Sequence, residues 1–324
     1  MKKITAIGEA LIDFIPSKRN CALKEVPSFS RMCGGAPANV AAAAAKLGGK
    51  VDFITQLGND SFGDYIVDTL SDSGVDTSLI LRTDKANTAL AFVSLKSDGS
   101  RDFSFYRKPS ADMLLEPDSI KENVVANIDM LHFGSVDLIE CPMKETHIKL
   151  LENCRRAGKL ISFDPNIRLP LWNSPEKCKE TVNEFIEYAD VLKISDEEIE
   201  FITGKTNIYT AFDEFFAKGV KVILYSMGKE GSKIITGNYE INVPNIDVEV
   251  CDTTGAGDAI MGSFLYQLAL NDADKKNITE FTEEKMTEML TFANFYSNYS
   301  VTAHGAITSY PDAETFKKFI EELR

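Results

Sequence analysis

Six short runs of nearly continuous apolar residues, at 4–7, 51–55, 130–133, 160–163, 191–194 and 220–225, each adjoin a helix-like segment. Strands that bury one face alternate apolar and polar residues, so runs without alternation read as parallel strands covered by helices on both sides. The chain is therefore expected to be an α/β protein built on a mainly parallel central sheet. Two regions break this rhythm: residues 12–30, and residues 88–107 with Asp98-Gly99 between two β-rich runs. Both read as antiparallel strands, the second pair joined by a tight turn. They fall near strand-to-helix junctions, outside which open α/β sheets bind ligands, so they are expected to form a small lid over the site. At 324 residues the chain has room for two domains of about 150 residues. No repeat or Pro/Gly/Ser-rich linker divides it, and a single domain over 1–324 with a discontinuous lid is expected.

Charge narrows the partners. With 35 Lys plus Arg against 49 Asp plus Glu, the formal net charge is -14. A nucleic-acid reader gathers cations to neutralise phosphates, and an anionic membrane surface asks for the same, so neither partner is expected. No apolar run approaches a membrane span, and Glu9 and Asp13 interrupt the start of the chain before a signal-peptide core could form, which points to the cytoplasm. The six cysteines, at 21, 33, 141, 154, 178 and 251, form no C-x-x-C pair and read as reduced thiols. His132, His147 and His304 do not cluster and read as structural.

Two glycine segments carry the chemistry. In the first, Gly34-Gly35-Ala36-Pro37-Ala38-Asn39 opens an Ala-rich helix that ends before Gly48-Gly49. The glycines let a ligand approach bare backbone amides, and Asn39 offers a donor and an acceptor to hydroxyls; an ordinary tight turn before a closely packed helix reads the same residues equally well. The second is Asp252-Thr253-Thr254-Gly255-Ala256-Gly257-Asp258, leading into an apolar helix. Small residues at a helix N-terminus expose unpaired amides at the positive end of the dipole, a site for phosphate. Asp258, just behind them, is placed to accept a proton from an attacking hydroxyl. Capping by Thr254 and a favourable first-turn charge explain the threonine and the carboxylate without the Gly-Ala-Gly spacing. No G-x-x-x-x-G-K-[ST] string occurs and no G-x-G-x-x-G follows the first strand, so P-loop and dinucleotide folds are excluded.

GGAPANVAAAAAKLGG and DTTGAGDAIMGSFL resemble the two signature segments of the PfkB, or ribokinase-like, sugar kinases, in that family's order. GEALIDFIP, FYRKPSADMLL, FGSVDLIE, DPNIRLPLW, LKISDEEIEFITG and HGAITSYP are similar to the fructokinase subgroup. The resemblance covers nearly the whole chain and implies a ribokinase-like three-layer α/β/α sandwich with a β-sheet lid, performing Mg²⁺-dependent phosphoryl transfer from ATP to a sugar hydroxyl. It implies Asp258 as the base and the amides of Gly255, Ala256 and Gly257 as an anion hole. Sugar-binding positions carried over are Asp13, Gly34, Gly35 and Asn39, with Phe105, Arg107 and Arg168 suited to closing over a polar ligand. Without the family, Phe105 reads as lid core and the two arginines as solvated or paired.

On the nucleotide side the resemblance implies Lys193, Ser226, Gly228, Gly231 and Asn294. Glu198 would organise Mg²⁺-bound water, although S-x-x-E over Ser195 to Glu198 is also a capping box. Asp252, Thr254, Ser300, Gly305 and Ser309 match a monovalent-cation site, with K⁺ as its candidate occupant. The expected activity is phosphorylation of the 6-hydroxyl of D-fructose. Alternatives keep the mechanism with 2-keto-3-deoxygluconate, ribose or a nucleoside as acceptor, or lose catalysis and retain sugar binding. The apolar lid strands, with Leu90, Phe92, Val93, Phe103 and Phe105, suggest a homodimer formed through the lid.

Overall fold

The computed structural model of the chain describes residues 1–18, 20–95, 101–121 and 123–323. Its strands are β1 (Lys3–Ile7), β2 (Leu11–Pro16), β3 (Phe29–Gly34), β4 (Lys50–Gly58), β5 (Ile80–Thr83), β6 (Ala89–Leu95), β7 (Arg101–Tyr106), β8 (Met130–Gly134), β9 (Leu160–Asp164), β10 (Val191–Ser195), β11 (Val222–Ser226), β12 (Ser232–Thr236) and β13 (Glu240–Val243). The helices are α1 (Ala36–Lys46), α2 (Ser61–Asp72), α3 (Asn123–Ala126), α4 (Pro142–Arg156), α5 (Pro175–Ile186), α6 (Asp196–Thr203), α7 (Ile208–Ala217), α8 (Ala256–Leu270), α9 (Glu283–Ser300) and α10 (Ala313–Glu322).

Among the described residues, nine strands form the central sheet in the order β13-β12-β11-β10-β9-β8-β1-β4-β5. All six apolar runs are its strands, and they pair in parallel. The strands β12 and β13 add an antiparallel edge that the alternation of strand and helix did not announce. Successive strand residues point to opposite faces. Ile4, Phe53, Val191 and Leu224 pack with α1, α2, α8, α9 and α10 on one side. Ile7, Phe133, Leu192 and Ile223 pack with α4 to α7 on the other. The three-layer sandwich expected from the sequence is the fold observed.

The helix α1 begins after Gly35, whose φ is 109°, and has Pro37 in its first turn. Its alanines let α8 come close: a Cβ at Gly262 would lie 2.5 Å from the Val40 carbonyl oxygen and 2.7 Å from Ala43 Cβ. Only a glycine permits that approach. The two signature helices therefore pack backbone against backbone, with their N-termini side by side.

The second sheet has four strands among the described residues, in the order β3-β2-β6-β7. The pairs β2–β3 and β6–β7 are antiparallel as expected, and the two hairpins join through a parallel β2–β6 pairing. The lid continues past residue 30 to Gly34. The Asp98-Gly99 turn lies outside the described residues, as does the Phe103 side chain. Among the described residues no helix is long and apolar enough to cross a membrane.

Candidate active site

A cavity of about 780 Å³ opens between the lid and the carboxyl ends of the central strands. Register places Asp13 opposite Met32 and Ala91, and Ala91 opposite Phe105, so one lid face presents Leu11, Asp13, Ile15, Met32, Val93 and Phe105 to it. The alternate residues Phe14 and Phe92 stack at 4.7 Å on the opposite face. Val93 and Phe105 are thus cavity residues, not part of an outward apolar surface. Gly35, Asn39, Arg168, Lys193, Asp252, Thr254, Gly255, Gly257, Asp258 and Gly305 all line the same cavity. Gly34 stands behind them, where a side chain would overlap the Asp13 carboxylate.

Asp258, in the first turn of α8, is 6% exposed. Its Oδ2 accepts from Asn39 Nδ2 at 2.8 Å and its Oδ1 from Asn166 Nδ2 at 3.3 Å. Burial raises its pKa, while the Asn39 bond and the charges of Lys193 and Arg168 pull the other way. The Asn39 Oδ1 is buried and has no partner among the described residues, which leaves an acceptor beside the carboxylate. Gly255 caps the helix at φ 77°. The Ala256 amide turns back to the Thr253 carbonyl at 3.3 Å, and the Ala259 amide bonds Gly255. Of the three expected donors the Ala256 amide is thus engaged, and the Asp258 amide in the same first turn is a further candidate beside those of Gly255 and Gly257.

Lys193 is buried and pairs with Asp164 at 2.9 Å. Burial works against its charge, but Asp164, Glu198 and Asp258 outweigh it and raise its pKa. Its Nζ would lie 3.0 Å from a Cβ built on Gly257, so the ammonium sits against the anion hole. Asp164 is pushed up to about 7, first by burial and then by Glu198 and Asp258, against the pull of Lys193. Glu198 takes the Ile167 amide at 2.9 Å, the Ser195 amide at 3.0 Å and the Ser195 hydroxyl at 2.8 Å. The capping box is formed, and with those donors in place a metal would meet Glu198 through water.

Several expected residues lie elsewhere. Arg107 is 4% exposed and bonds Asp112 and Asp137 beneath the lid rather than facing the cavity. Asn294 is also interior, donating to the Pro244 carbonyl at 2.9 Å and accepting from the Ser232 hydroxyl at 3.0 Å, so its amide is spent inside the fold. Ser226 ends β11, Gly228 and Gly231 lie in the turn after it, and none of the three lines the cavity. Asp252 accepts from the Thr254 hydroxyl at 2.7 Å and the Gly305 amide at 3.1 Å. The hydroxyls of Ser300 and Ser309 instead serve Ser297 and Ala306 in their own turns. His304, read as structural, is exposed on the rim, 3.9 Å from Asp252.

Sequence reasoning passed over Glu9, Asp164 and Asn166. Glu9 lines the cavity and accepts from the Ala36 amide at 3.0 Å. Asp164 and Asn166 belong to the DPN turn after β9, where Asn166 takes φ 43°. A turn of that composition at a strand's carboxyl end was the available signal.

A lid over a buried carboxylate, set beside helix-terminal amides and a buried lysine, is the apparatus of a kinase that phosphorylates a small polyol. The chain belongs to the pfkB family of carbohydrate kinases, whose model matches residues 1–313. It is 40% identical over 310-odd residues to fructokinase-2 of Solanum lycopersicum, covering 96% of this chain and 93% of that one. Among solved structures it is similar to a fructokinase with bound ATP from Xylella fastidiosa, with TM-score 0.91 and 32% identity over 99% of this chain and 98% of that one. It is also similar to a double-mutant fructokinase of Vibrio cholerae O395 in fructose, ADP and potassium ion bound form, with TM-score 0.87 and 30% identity over 98% of each chain.

Proposed function

We propose that the protein is a cytoplasmic ATP-dependent fructokinase that transfers the γ-phosphoryl group to the 6-hydroxyl of D-fructose. The observation that carries this reading is Asp258, buried between Asn39 and Asn166 in the first turn of α8, at the end where helix amides have no partner within the helix. Asp258 takes the hydroxyl proton as the oxygen attacks phosphorus, and ADP leaves in line. The amides of Gly255, Gly257 and Asp258 at this helix end, with Lys193, stabilise charge developing on the transferred group. Asn39, through its Oδ1, and Asp13 accept from other sugar hydroxyls, while Gly34 and Gly35 keep the backbone close. Phe105 and Arg168 close the cavity from the lid and from the DPN turn.

ATP lies toward the β11 turn, near Ser226, Gly228 and Gly231. Mg²⁺ would neutralise the phosphates when bound; among the described residues no three carboxylates or histidines cluster to hold it directly, so Glu198 would meet its water shell, with Asp164 paired to Lys193 beside it. Asp252, with Thr254 and Gly305, is the proposed K⁺ position, supported by the potassium ion in the Vibrio relative. Dimerisation through the lid remains part of this reading. The face opposite the cavity carries Phe29, Phe92 and Tyr106, the last 62% exposed, while Phe14 beside them packs edge-on against Phe62 of α2. A single dimeric mass by light scattering is expected, and a monomeric mass at micromolar concentration refutes it.

The deciding experiment measures Mg²⁺-ATP consumption and product with fructose, ribose, 2-keto-3-deoxygluconate and a nucleoside, in K⁺ and in Na⁺. Fructose 6-phosphate as the main product is expected. A higher kcat/KM for another acceptor moves the assignment within the family, and sugar binding without any phosphorylated product refutes the enzyme.

A further inference from the structure

Arg107 follows β7 directly, and there the chain passes from the lid into the body. Its Nη2 is bonded to both Asp112 and Asp137, and the Ser110 hydroxyl bonds Asp112. The carboxylate of Glu9 acts on the same guanidinium. Glu9 lies just before β2, and it accepts from the amide of Ala36, just after β3. Asn87, just before β6, accepts from the Ala111 amide at 2.9 Å, next to Ser110 and Asp112. The body-side ends of all four lid strands therefore meet around one buried cluster.

We propose that Glu9, Arg107, Asp112 and Asp137 form a charged hinge that positions the lid face, and with it Asp13 and Phe105, over Asn39 and Asp258. These are positioning residues, and their effect on sugar affinity rests on the reading of the cavity as a sugar site. Glu9, Arg107, Asp112 and Asp137 are 3%, 4%, 1% and 1% exposed. Fully ionised, one guanidinium and three carboxylates sum to a net -2, which a buried site does not tolerate without protons.

Burial pushes the Glu9 carboxyl up to about 7 against the pull of Arg107, with Asp112 adding to the rise. Burial also holds Asp137 well above the usual range, against Arg107 and helped by Asp112 and Glu9. Cys141, which faces Asp137 and Arg107 from the start of α4, is pushed up to about 11 and stays neutral. A proton on Glu9 relieves part of that excess negative charge. The folded chain keeps a proton on Glu9 that an unfolded chain releases near the ordinary Glu value of 4.5. The hinge's contribution therefore declines as pH rises from 4.5 to about 7, and above that Glu9 adds a further negative charge to the cluster.

Glu9→Gln tests this, because the amide keeps an oxygen for Ala36 and stays neutral. For the wild type, the fructose KM is expected to rise about fivefold or more between roughly pH 6 and 8.5, with kcat changing less, an ordinary strength for coupling between sites. In Glu9→Gln that rise disappears. Amide hydrogen exchange in β2, β3, β6 and β7 of the unliganded full chain, corrected for intrinsic rates, is expected to speed up at the higher pH in the wild type only. That readout needs no substrate, so failure to phosphorylate fructose sinks the kinase reading and leaves the hinge to be judged by exchange. Equal pH responses of lid exchange in the two proteins overturn the hinge. Lid exchange that responds to pH beside a KM that does not overturns the positioning role.

Discussion

Replacing Asp258 by Asn separates catalysis from folding at the centre of the site. The substituted side chain keeps an oxygen for Asn39 Nδ2, now 2.8 Å away, and turns an amino group toward Asn166 Nδ2, now 3.3 Å from the carboxylate. One lost hydrogen bond costs about 1 kcal/mol. Against it stands the removal of a carboxylate whose ionisation burial already disfavours. The melting temperature should therefore barely move. A general base contributes about 10²–10⁴ in rate, which is about 2.7–5.5 kcal/mol of barrier at 1.36 kcal/mol per tenfold. The expected outcome is a kcat lower by that factor in an ADP-coupled assay, with fructose and ATP affinities by calorimetry near those of the wild type. Asp258 must also be ionised to act, and its pKa is raised, so the wild-type rate falls on the acid side at a pH above the ordinary Asp range. The residual rate of Asp258→Asn lacks that limb. Turnover within about tenfold of wild type, with binding intact, would falsify the assignment of the base.

Gly255→Ala places a Cβ at φ 77°, 2.5 Å from both Ala306 Cβ and the Tyr310 hydroxyl. A loss of about 1–3 kcal/mol in urea unfolding is expected, with turnover reduced further than ATP affinity. Lys193→Met removes a cation that holds down the pKa of both Asp164 and the base Asp258, so both carboxyls should titrate higher. An alkaline shift in the acid limb of the kcat/KM profile and an ATP KM raised about tenfold check this together. Burial, helped by Lys193, holds His132 near 3, so the folded chain refuses a proton that an unfolded chain accepts near 6.5. Its share of stability is lost as pH falls from about 6.5 towards 3. Urea midpoints at several pH values should show a shallower acid slope for His132→Asn, and an unchanged slope means that other groups carry it.

The parallel strands were legible because burial on both faces removes alternation from their sequence, and the ends of α1 because Pro37 and Gly48 punctuate it. The placement of Asp258 in the first turn of a helix was legible from the small residues before it, which fit a glycine-capped helix start. The edge strands β12 and β13 were not, since nothing in Ser232–Thr236 or Glu240–Val243 requires pairing beyond β11. Arg107 illustrates the harder limit. Arginine is ordinarily a surface residue, and its burial depends on carboxylates at 9, 112 and 137, which only the tertiary fold brings together. Glu9 looked like an interruption of an apolar start for the same reason. Asn294 fell on the right helix, but its inward direction follows from packing against Pro244 and Ser232, which helical periodicity does not encode.

The contact of α1 with α8 across Gly262 has a consequence for how such an enzyme can change. The proposed phosphoryl-transfer residues stand at the junction of two helices that meet through main chain and alanine, and almost any larger side chain at Gly262 would push them apart. The lid face proposed to recognise the acceptor belongs to other strands, which join the body around the Glu9, Arg107, Asp112 and Asp137 cluster. Acceptor preference can accordingly be redesigned by exchanging lid residues such as Ile15, Met32 and Phe105, while the phosphoryl-transfer frame is left as it stands.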